Sequence, residues 1–304
     1  MAQAYAAHSP ALPPRERWCP LVEMALAEDV GPGDLTTSVV LDTEHERQRH
    51  GQARIEARSS MIVCGLPVVE EVFRQIDPDL EIQLEPGIEE GVQLANPGPL
   101  LRIRGRFESI LIGERTALNF LGRLCGIATQ TRKLVDLVVD LSTDLVDTRK
   151  TTPGWRCLEK YAVAVGGGVN HRIGLYDAVL IKDNHIAAAG SLDAAVKRAL
   201  AKTPAGVSIQ VEVESEAMAD RAVELGCDFL LLDNLSPETI RKIVDRHAPG
   251  IVLEASGGIG PDNVRRYAET GVARISMGAL THSVNCADVA LELDLLPEPS
   301  EAAS

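Results

Sequence analysis

The sequence predicts an α/β protein with an N-terminal α+β sandwich domain and an incomplete α/β barrel of about six to seven strands. From about residue 143, short apolar runs alternate with helical patterns in units of about 20–30 residues. This alternation is typical of parallel strands joined by right-handed crossovers. A polar residue or a glycine closes each apolar run, as functional groups do at the carboxyl ends of barrel strands. An open doubly wound sheet would gather such groups at one switch point.

The elements of the predicted barrel follow one another in order along the chain. The predicted strands are 145–146, 178–181, 209–213, 229–232, 251–253 and 272–276, and the predicted helices are 192–202, 215–225, 237–247 and 261–270. Ser236 and Pro237 predict a helix start, because serine caps free N–H groups and proline fits the first helical position. Gly226 and Gly271 occupy positions typical of helix ends.

The first 140 residues have a different pattern. Residues 18–30 predict an amphipathic helix, and 108–140 predict one long helix or a broken helix pair. Short strands are expected at 53–57, 61–64, 80–84 and 100–103. The expected domains are a disordered tail at 1–16, the N-terminal domain at 17–120, the barrel at 121–282, and a C-terminal segment at 283–304 that packs back on the N-terminal domain and ends in a frayed tail.

Composition excludes several classes of protein. A net charge of −14 argues against a broad nucleic-acid or anionic-membrane surface, and 3% aromatic residues argue against stacking platforms. No run of about 18 apolar residues suggests a membrane span, and the N-terminus lacks the apolar core of a secretory signal. The six cysteines show no CxxC spacing. We therefore expect reduced thiols in a cytoplasmic protein.

A cationic segment in this acidic chain predicts an anion site. Between residues 149 and 182, six Arg and Lys residues face only Glu159 and Asp177. The residues expected to supply the site are Arg149, Lys150, His171, Arg172 and Lys182. Arginine suits bidentate contact with carboxylate or phosphate, and lysine suits point-charge contact. A surface ion pair is the alternative for any one of them, but it does not suit all five together.

Two glycine turns follow late strands and predict a phosphate site. The first contains Ser256, Gly257 and Gly258, and the second contains Met277, Gly278 and Ala279. Glycine lets the backbone approach a ligand, and a helix expected to start near Pro261 would present free N–H groups. Adjacent late loops of a barrel commonly hold one phosphate together. Two ordinary turns are the alternative, and no GxGxxG fingerprint indicates a dinucleotide site.

Two carboxylates, Glu212 and Asp233, are expected at similar depth on neighbouring strands. Such a pair can act as acid and base, hold a divalent cation or accept hydrogen bonds from sugar hydroxyls. The alternative is that they are buried partners of nearby lysines. Because no third strong ligand is evident, Mg²⁺ arriving with a phosphorylated substrate fits better than a permanent metal cage. A Schiff base on Lys182, as in lyases and aldolases, remains a competing use of the site.

Several motifs occur in one order along the chain. They are Arg149–Gly154 (RKTTPG), Lys182–His185 (KDNH), Val211–Glu214 (VEVE), Leu231–Asn234 (LLDN), Ala255–Ile259 (ASGGI) and Ile275–Gly278 (ISMG), preceded by Glu28–Thr37 and Gly113–Asn119. Together they closely resemble the quinolinate phosphoribosyltransferase family, also called nicotinate-nucleotide pyrophosphorylase (carboxylating). The resemblance spans roughly residues 18–290.

The resemblance implies a reaction, a cofactor and an assembly. The implied reaction joins quinolinate and phosphoribosyl pyrophosphate, giving nicotinate mononucleotide, pyrophosphate and carbon dioxide, a step of NAD biosynthesis. It implies Mg²⁺ and a homodimer in which Arg115 reaches the partner's site, with a higher oligomer left open. No nucleic-acid or membrane partner is implied.

The resemblance also implies a role for each site residue. Thr148, Arg149, Lys150, His171, Arg172 and Lys182 would hold the dicarboxylate and pyrophosphate; Glu212 and Asp233 would face ribose and Mg²⁺, directly or through water; Ser256, Gly257, Gly258, Met277, Gly278 and Ala279 would hold the 5′-phosphate. The implied catalytic residues are Lys150, Lys182, Glu212 and Asp233. Two rivals are a related transferase acting on nicotinate and a non-catalytic relative. The number of cations favours a dicarboxylate.

Overall fold

The computed structural model describes residues 10–41 and 43–294. Within them the chain forms two units, one of residues 10–130, 157–166 and 284–294 and the other of residues 131–156 and 167–283. The domain limits expected from the sequence stay a prediction. The expected tails fall partly on 1–9 and 295–304, which lie outside the described residues.

The secondary structure begins with a short 3₁₀ helix at Arg15–Arg17. The helices are α1 Cys19–Val30, α2 Leu35–Val40, α3 Glu44–Arg47, α4 Leu66–Ile76, α5 Phe107–Asp136, α6 Arg156–Val165, α7 Asp183–Ala189, α8 Leu192–Lys202, α9 Glu216–Glu224, α10 Pro237–His247, α11 Val264–Ala268 and α12 Ala279–His282. The strands are β1 His50–Ala57, β2 Met61–Ile62, β3 Glu81–Leu84, β4 Gln93–Leu94, β5 Gly98–Arg106, β6 Asp144–Val146, β7 Val179–Ile181, β8 Ile209–Val213, β9 Phe229–Asp233, β10 Val252–Ser256, β11 Arg274–Ser276 and β12 Val289–Asp294.

The first unit is built on an antiparallel sheet of order β12-β1-β5-β3. Alternate residues of β1, including Ala53 and Ile55, are buried, so one face of the sheet contributes to a core. Helix α4 buries Phe73 in this unit. A Cβ on Gly113 of α5 would lie 2.6 Å from the Phe73 ring, so the close approach requires glycine. Helix α5 is one continuous helix of 30 residues, which decides between the two expected forms.

The second unit contains six parallel strands in the order β6-β11-β10-β9-β8-β7. Each strand from β7 to β10 pairs with the next one in the chain, and β11 pairs with β6. This is the order of a barrel that is open between β6 and β7. Val169 adds an isolated parallel bridge to Val146 at the free edge of β6. The predicted incomplete barrel is therefore confirmed.

Helix caps explain several boundaries in the second unit. Ser236 accepts a hydrogen bond from the Thr239 N–H with Pro237 in the first helical turn, as predicted. Gly226 follows α9 with φ +93°, which glycine tolerates without a Cβ penalty. The predicted helix at 261–270 is wrong in extent, because α11 begins only at Val264. Among the described residues, no helix is both long and apolar enough to cross a membrane.

Candidate active site

A cavity of about 360 Å³ opens at the carboxyl ends of the parallel strands of the second unit. Nine of the residues singled out from the sequence line it: Thr148, Arg149, Lys150, His171, Arg172, Lys182, Glu212, Asp233 and Ser256. Four further lining residues had no role assigned from the sequence: Leu180, Leu231, Glu254 and Ser276. The fold therefore gathers at one end of the barrel most of the side chains that the sequence spreads over 130 residues.

Lys182 and Glu212 form an ion pair across neighbouring strands. Both residues directly follow the paired Ile181 and Val211, so their side chains leave the same face of the sheet. Glu212 is 7% exposed, whereas the Lys182 side chain is 41% exposed. The carboxylate thus lies beneath the ammonium group, which reaches toward the mouth of the cavity.

Asp233 lies nearer to the mouth than Glu212, and the expected similar depth is wrong. In the registered pair of strands, Glu212 lies opposite Leu231, two residues before Asp233. The physical reason is the strand repeat of about 3.3 Å per residue, which separates the two carboxylates by one side-chain step along the same face. The Asp233 carboxylate accepts a hydrogen bond from Asn234 Nδ2 at 2.8 Å.

Arg149 and Arg172 bring two guanidinium groups into the lining of the cavity, near enough for the charge of one to act on the other. Burial, and next the charge of Arg149, hold the pKa of Arg172 below its ordinary value, while Asp177 acts in the opposite direction. The Arg172 guanidinium donates to the Ala178 carbonyl at 3.1 Å. Like charges repel unless an anion lies between them. This arrangement therefore favours a bound anion with at least two negative oxygens.

A buried carboxylate shapes the loop that carries His171 and Arg172. Asp147 is fully buried and accepts hydrogen bonds from Asn170 Nδ2 at 2.7 Å and from the His171 backbone N–H at 2.8 Å. His171 Nδ1 accepts the Arg172 backbone N–H at 2.8 Å, which leaves the ring proton on Nε2. Nε2 then donates to Gln210 Oε1 at 2.8 Å. The imidazole is thus held through Nδ1 by a backbone N–H and through Nε2 by Gln210.

Lys150 is fixed through its backbone. Its N–H donates to Thr148 Oγ1 at 3.0 Å, and its carbonyl accepts from Thr281 Oγ1 at 2.8 Å. A Cβ on Gly278 would come within 3.0 Å of Lys150 Cδ and 2.8 Å of His282 Nε2. Gly278 thus leaves space for the lysine stem. The turn after β11 therefore lies next to Lys150, which follows β6.

Two glycines in the turn after β10 are suited to their positions for different reasons. A Cβ on Gly257 would lie 2.1 Å from Asn234 Oδ1, so glycine is required there by packing. Gly258 has φ +61° and open space around it, which suits close approach by a ligand. The expected helix N-terminus near Pro261 is absent, because Asn263 Oδ1 accepts the Gly260 N–H at 2.8 Å and forms a turn instead.

Glu254 is the main residue that sequence reasoning missed. It is 0% exposed on β10, and neither carboxyl oxygen has a hydrogen-bond partner among the described residues. Burial raises its pKa to about 7, against lowering by Ser276, Arg274 and Gln210. A charged residue inside an apolar strand, two positions before Ser256 and on the same face, was the signal available in the sequence.

The remaining predicted residues do not line this cavity. Gly257, Gly258, Met277, Gly278 and Ala279 belong to the turns that follow β10 and β11. Arg115 is exposed on α5, in the portion of that helix that belongs to the first unit. No cluster of three His, Cys, Asp or Glu side chains suited to a metal occurs among residues 10–41 and 43–294. The lining of this cavity therefore does not by itself assign a role to these residues.

An incomplete α/β barrel with a cationic cavity at its strand ends defines the class of anion-binding barrel enzymes. The chain belongs to the quinolinate phosphoribosyltransferase family. Residues 34–125 match the model described as "Quinolinate phosphoribosyl transferase, N-terminal domain", and residues 127–292 match the model of the C-terminal domain.

Individual relatives agree with this family. The chain is 40% identical over 274 residues to a Bacillus subtilis (strain 168) protein named "Probable nicotinate-nucleotide pyrophosphorylase (carboxylating)", covering 90% of this chain and 92% of that one. It is 34% identical over 293 residues to "Quinolinate phosphoribosyltransferase (decarboxylating) 1b" of Nicotiana tabacum, covering 90% and 81%. A solved nicotinate-nucleotide pyrophosphorylase from Francisella tularensis aligns with TM-score 0.87 and 38% identity, covering 92% and 97%.

Proposed function

We propose that this protein transfers a phosphoribosyl group from phosphoribosyl pyrophosphate to quinolinate and removes one carboxylate. The products are nicotinate mononucleotide, pyrophosphate and carbon dioxide. The relatives' names support this reaction, since they describe the carboxylating pyrophosphorylase and the decarboxylating transferase. The enzyme would then be a pentosyltransferase of NAD biosynthesis, and we place it in the cytoplasm.

The closeness of Arg149 and Arg172 is the observation that carries this proposal. Burial and the charge of Arg149 act on the Arg172 guanidinium, and Lys150 lines the same cavity. Quinolinate brings two carboxylates and the donor brings phosphate and pyrophosphate groups. Guanidinium forks suit the carboxylates, and lysine suits the pyrophosphate oxygens. Nicotinate, with one carboxylate, would leave more of this positive charge uncompensated.

The proposed chemistry requires charge stabilisation more than a dedicated base. As pyrophosphate leaves, the anomeric carbon becomes oxocarbenium-like, and the carboxylates of Glu212 and Asp233 can stabilise it. Lys150 and Lys182 would stabilise the charge developing on the leaving pyrophosphate. The quinolinate nitrogen forms the new bond to the anomeric carbon and becomes positively charged. That charge stabilises the carbanion left as carbon dioxide departs, and this carbanion takes a proton.

The donor set of the cavity fits Mg²⁺ carried in by the substrate. Glu212 and Asp233 offer hard oxygen ligands on one face of adjacent strands, and Mg²⁺ is commonly held by one or two carboxylates together with substrate phosphates. These two residues would hold it directly or through water. The ion would neutralise phosphate charge when bound. The 5′-phosphate would lie against Ser256, Gly257, Gly258, Met277, Gly278 and Ala279.

Assembly supplies one further residue in this proposal. Arg115 is exposed on α5 and has no hydrogen bond or ion pair to its side chain among the described residues. In a homodimer it would complete the partner's site, and a higher oligomer is compatible with this. The Schiff-base alternative is disfavoured because the Lys182 side chain is engaged in an ion pair with Glu212.

The test is an assay of the purified protein with phosphoribosyl pyrophosphate and Mg²⁺, with either quinolinate or nicotinate as acceptor. Mononucleotide formation is followed by chromatography. We expect product from quinolinate and at most a trace from nicotinate. Faster product formation from nicotinate would refute the proposed acceptor. An adduct trapped on Lys182 by borohydride in the presence of a phosphosugar would support a lyase instead.

A further inference from the structure

The floor of the cavity holds a carboxyl group that the proposed reaction does not use. Glu254 lines the cavity yet is 0% exposed, and both of its oxygens lack a hydrogen-bond partner among the described residues. An ionised carboxylate in such a place is costly unless it is paired. The buried carboxyl group is therefore either neutral, or ionised at a cost in free energy.

The His171 ring is a candidate partner of Glu254, beside Ser276 and Gln210. His171 Nε2 lies 3.7 Å from Glu254 Oε1 and 2.8 Å from Gln210 Oε1. Gln210 is itself 2% exposed, and its Nε2 has no hydrogen-bond partner within the described part of the chain. Gln210 thus binds the imidazole Nε2 with Glu254 beside it, while the backbone N–H of Arg172 binds Nδ1.

Groups of both signs act on Glu254 from the elements around it. Arg274 of β11 lies at the registered position and favours the charged form, whereas Asp147, after β6, favours the neutral form. Strand β9 places the apolar Leu231 at its registered position, and β8 supplies the neutral Gln210. With burial the largest effect, the pKa of Glu254 is raised to about 7. The carboxyl can therefore change charge near neutral pH.

We propose that Glu254 is a positioning residue for His171, and that only its protonated form is compatible with full binding of anionic substrates in the cavity. When Glu254 is protonated, the buried end of the cavity carries no negative charge beside the cationic side chains that line the cavity. Loss of this proton places a negative charge 3.7 Å from the imidazole. The same charge also repels anions that bind in the cavity. This inference rests on the proposed function only for the identity of the substrate.

Direct anion binding to wild type and Glu254→Gln tests the inference. Sulfate is the first probe, because its charge is constant between pH 6 and 8.5, and quinolinate, whose carboxylates also stay ionised, is the second. The dissociation constants are measured by calorimetry. For wild type we expect the sulfate dissociation constant to rise about tenfold or more across this range, since one negative charge is added to the floor. In Glu254→Gln, which mimics the neutral acid, the sulfate dissociation constant should change less than about threefold over the same pH range.

Glu159→Gln is the matched control, because Glu159 is equally buried but belongs to the first unit and pairs with Arg123. It should keep the wild-type dependence on pH. Equal pH slopes in wild type and Glu254→Gln would overturn the inference. So would loss of sulfate binding at pH 6 in a Glu254→Gln protein with an unchanged circular dichroism spectrum, because the carboxyl itself would then be required. Failure of quinolinate alone to bind wild type would count against the proposed function and leave the sulfate result decisive for Glu254.

Discussion

The ammonium group of Lys182 pairs with the carboxylate of Glu212 across β7 and β8, and this pair joins the exposed mouth of the cavity to its buried wall. The partners differ in exposure, at 41% for the lysine side chain and 8% for the glutamate side chain. Removing Lys182 leaves a buried carboxylate alone, whereas Lys150 pairs with no carboxylate in the described part of the chain, so its removal leaves none unpaired there. Comparing substitutions of the two lysines therefore distinguishes an effect on stability from an effect on catalysis.

Lys182→Ala should lose both stability and activity, whereas Lys150→Ala should lose activity alone. The unpaired Glu212 in the first variant costs about 1–3 kcal/mol of unfolding free energy. Each variant should lose about 2–4 kcal/mol of transition-state stabilisation in kcat/KM. Urea denaturation and steady-state kinetics measure the two effects. Wild-type rates in both variants would remove these lysines from the catalytic account.

Arg149→Ala should weaken anion binding without destabilising the free protein. The substitution relieves the repulsion that Arg149 exerts on Arg172, so the free protein should unfold at or slightly above the wild-type temperature. Pyrophosphate should raise the Tm of wild type by mass action and raise that of the variant much less. Thermal denaturation with and without pyrophosphate measures this. A Tm shift equal to that of wild type would show that the anion binds elsewhere.

Glu254→Gln should become more stable relative to wild type as the pH rises. The carboxyl has a folded-state pKa of about 7, above the value of about 4.3 in an unfolded chain, so the folded state holds its proton longer. Wild type therefore loses stability between about pH 4 and pH 7 and loses no more from this group above that range. The difference should reach on the order of 3 kcal/mol at pH 8. Urea denaturation at pH 5 and pH 8 tests it, and a difference that is the same at both values contradicts the shifted ionisation.

Arg115→Ala and Lys182→Ala should complement one another if sites are shared across a dimer. Each homodimer should have low activity, but a mixed dimer contains one site with neither substitution. Mixing with subunit exchange should recover up to about a quarter of wild-type activity, because random pairing makes half the dimers mixed with one intact site each. Mixing Lys182→Ala with Lys150→Ala is the matched control and should recover none. No recovery in the first mixture, with exchange demonstrated, would remove the shared site.

The site was predictable wherever a polar residue closes an apolar strand. Lys182, Asp233 and Ser256 each stand at such a point, so the order of strands placed them together. Glu254 escaped notice because it lies within an apolar run, where its role depends on which face of β10 the barrel encloses. The hydrogen bonds of the His171 ring also could not be predicted, since they depend on Gln210 and on a backbone N–H brought near by folding. The depth of Glu212 depends on strand register, which residue spacing alone leaves open.

The release of carbon dioxide from carboxyl-labelled quinolinate tests the central claim most directly. The purified enzyme is incubated with Mg²⁺, with and without phosphoribosyl pyrophosphate, while carbon dioxide and mononucleotide are measured together. The account predicts that carbon dioxide appears only with the donor and in a one-to-one ratio with nicotinate mononucleotide, because the ribosylated nitrogen has to stabilise the carbanion. Carbon dioxide released from quinolinate without the donor would contradict it.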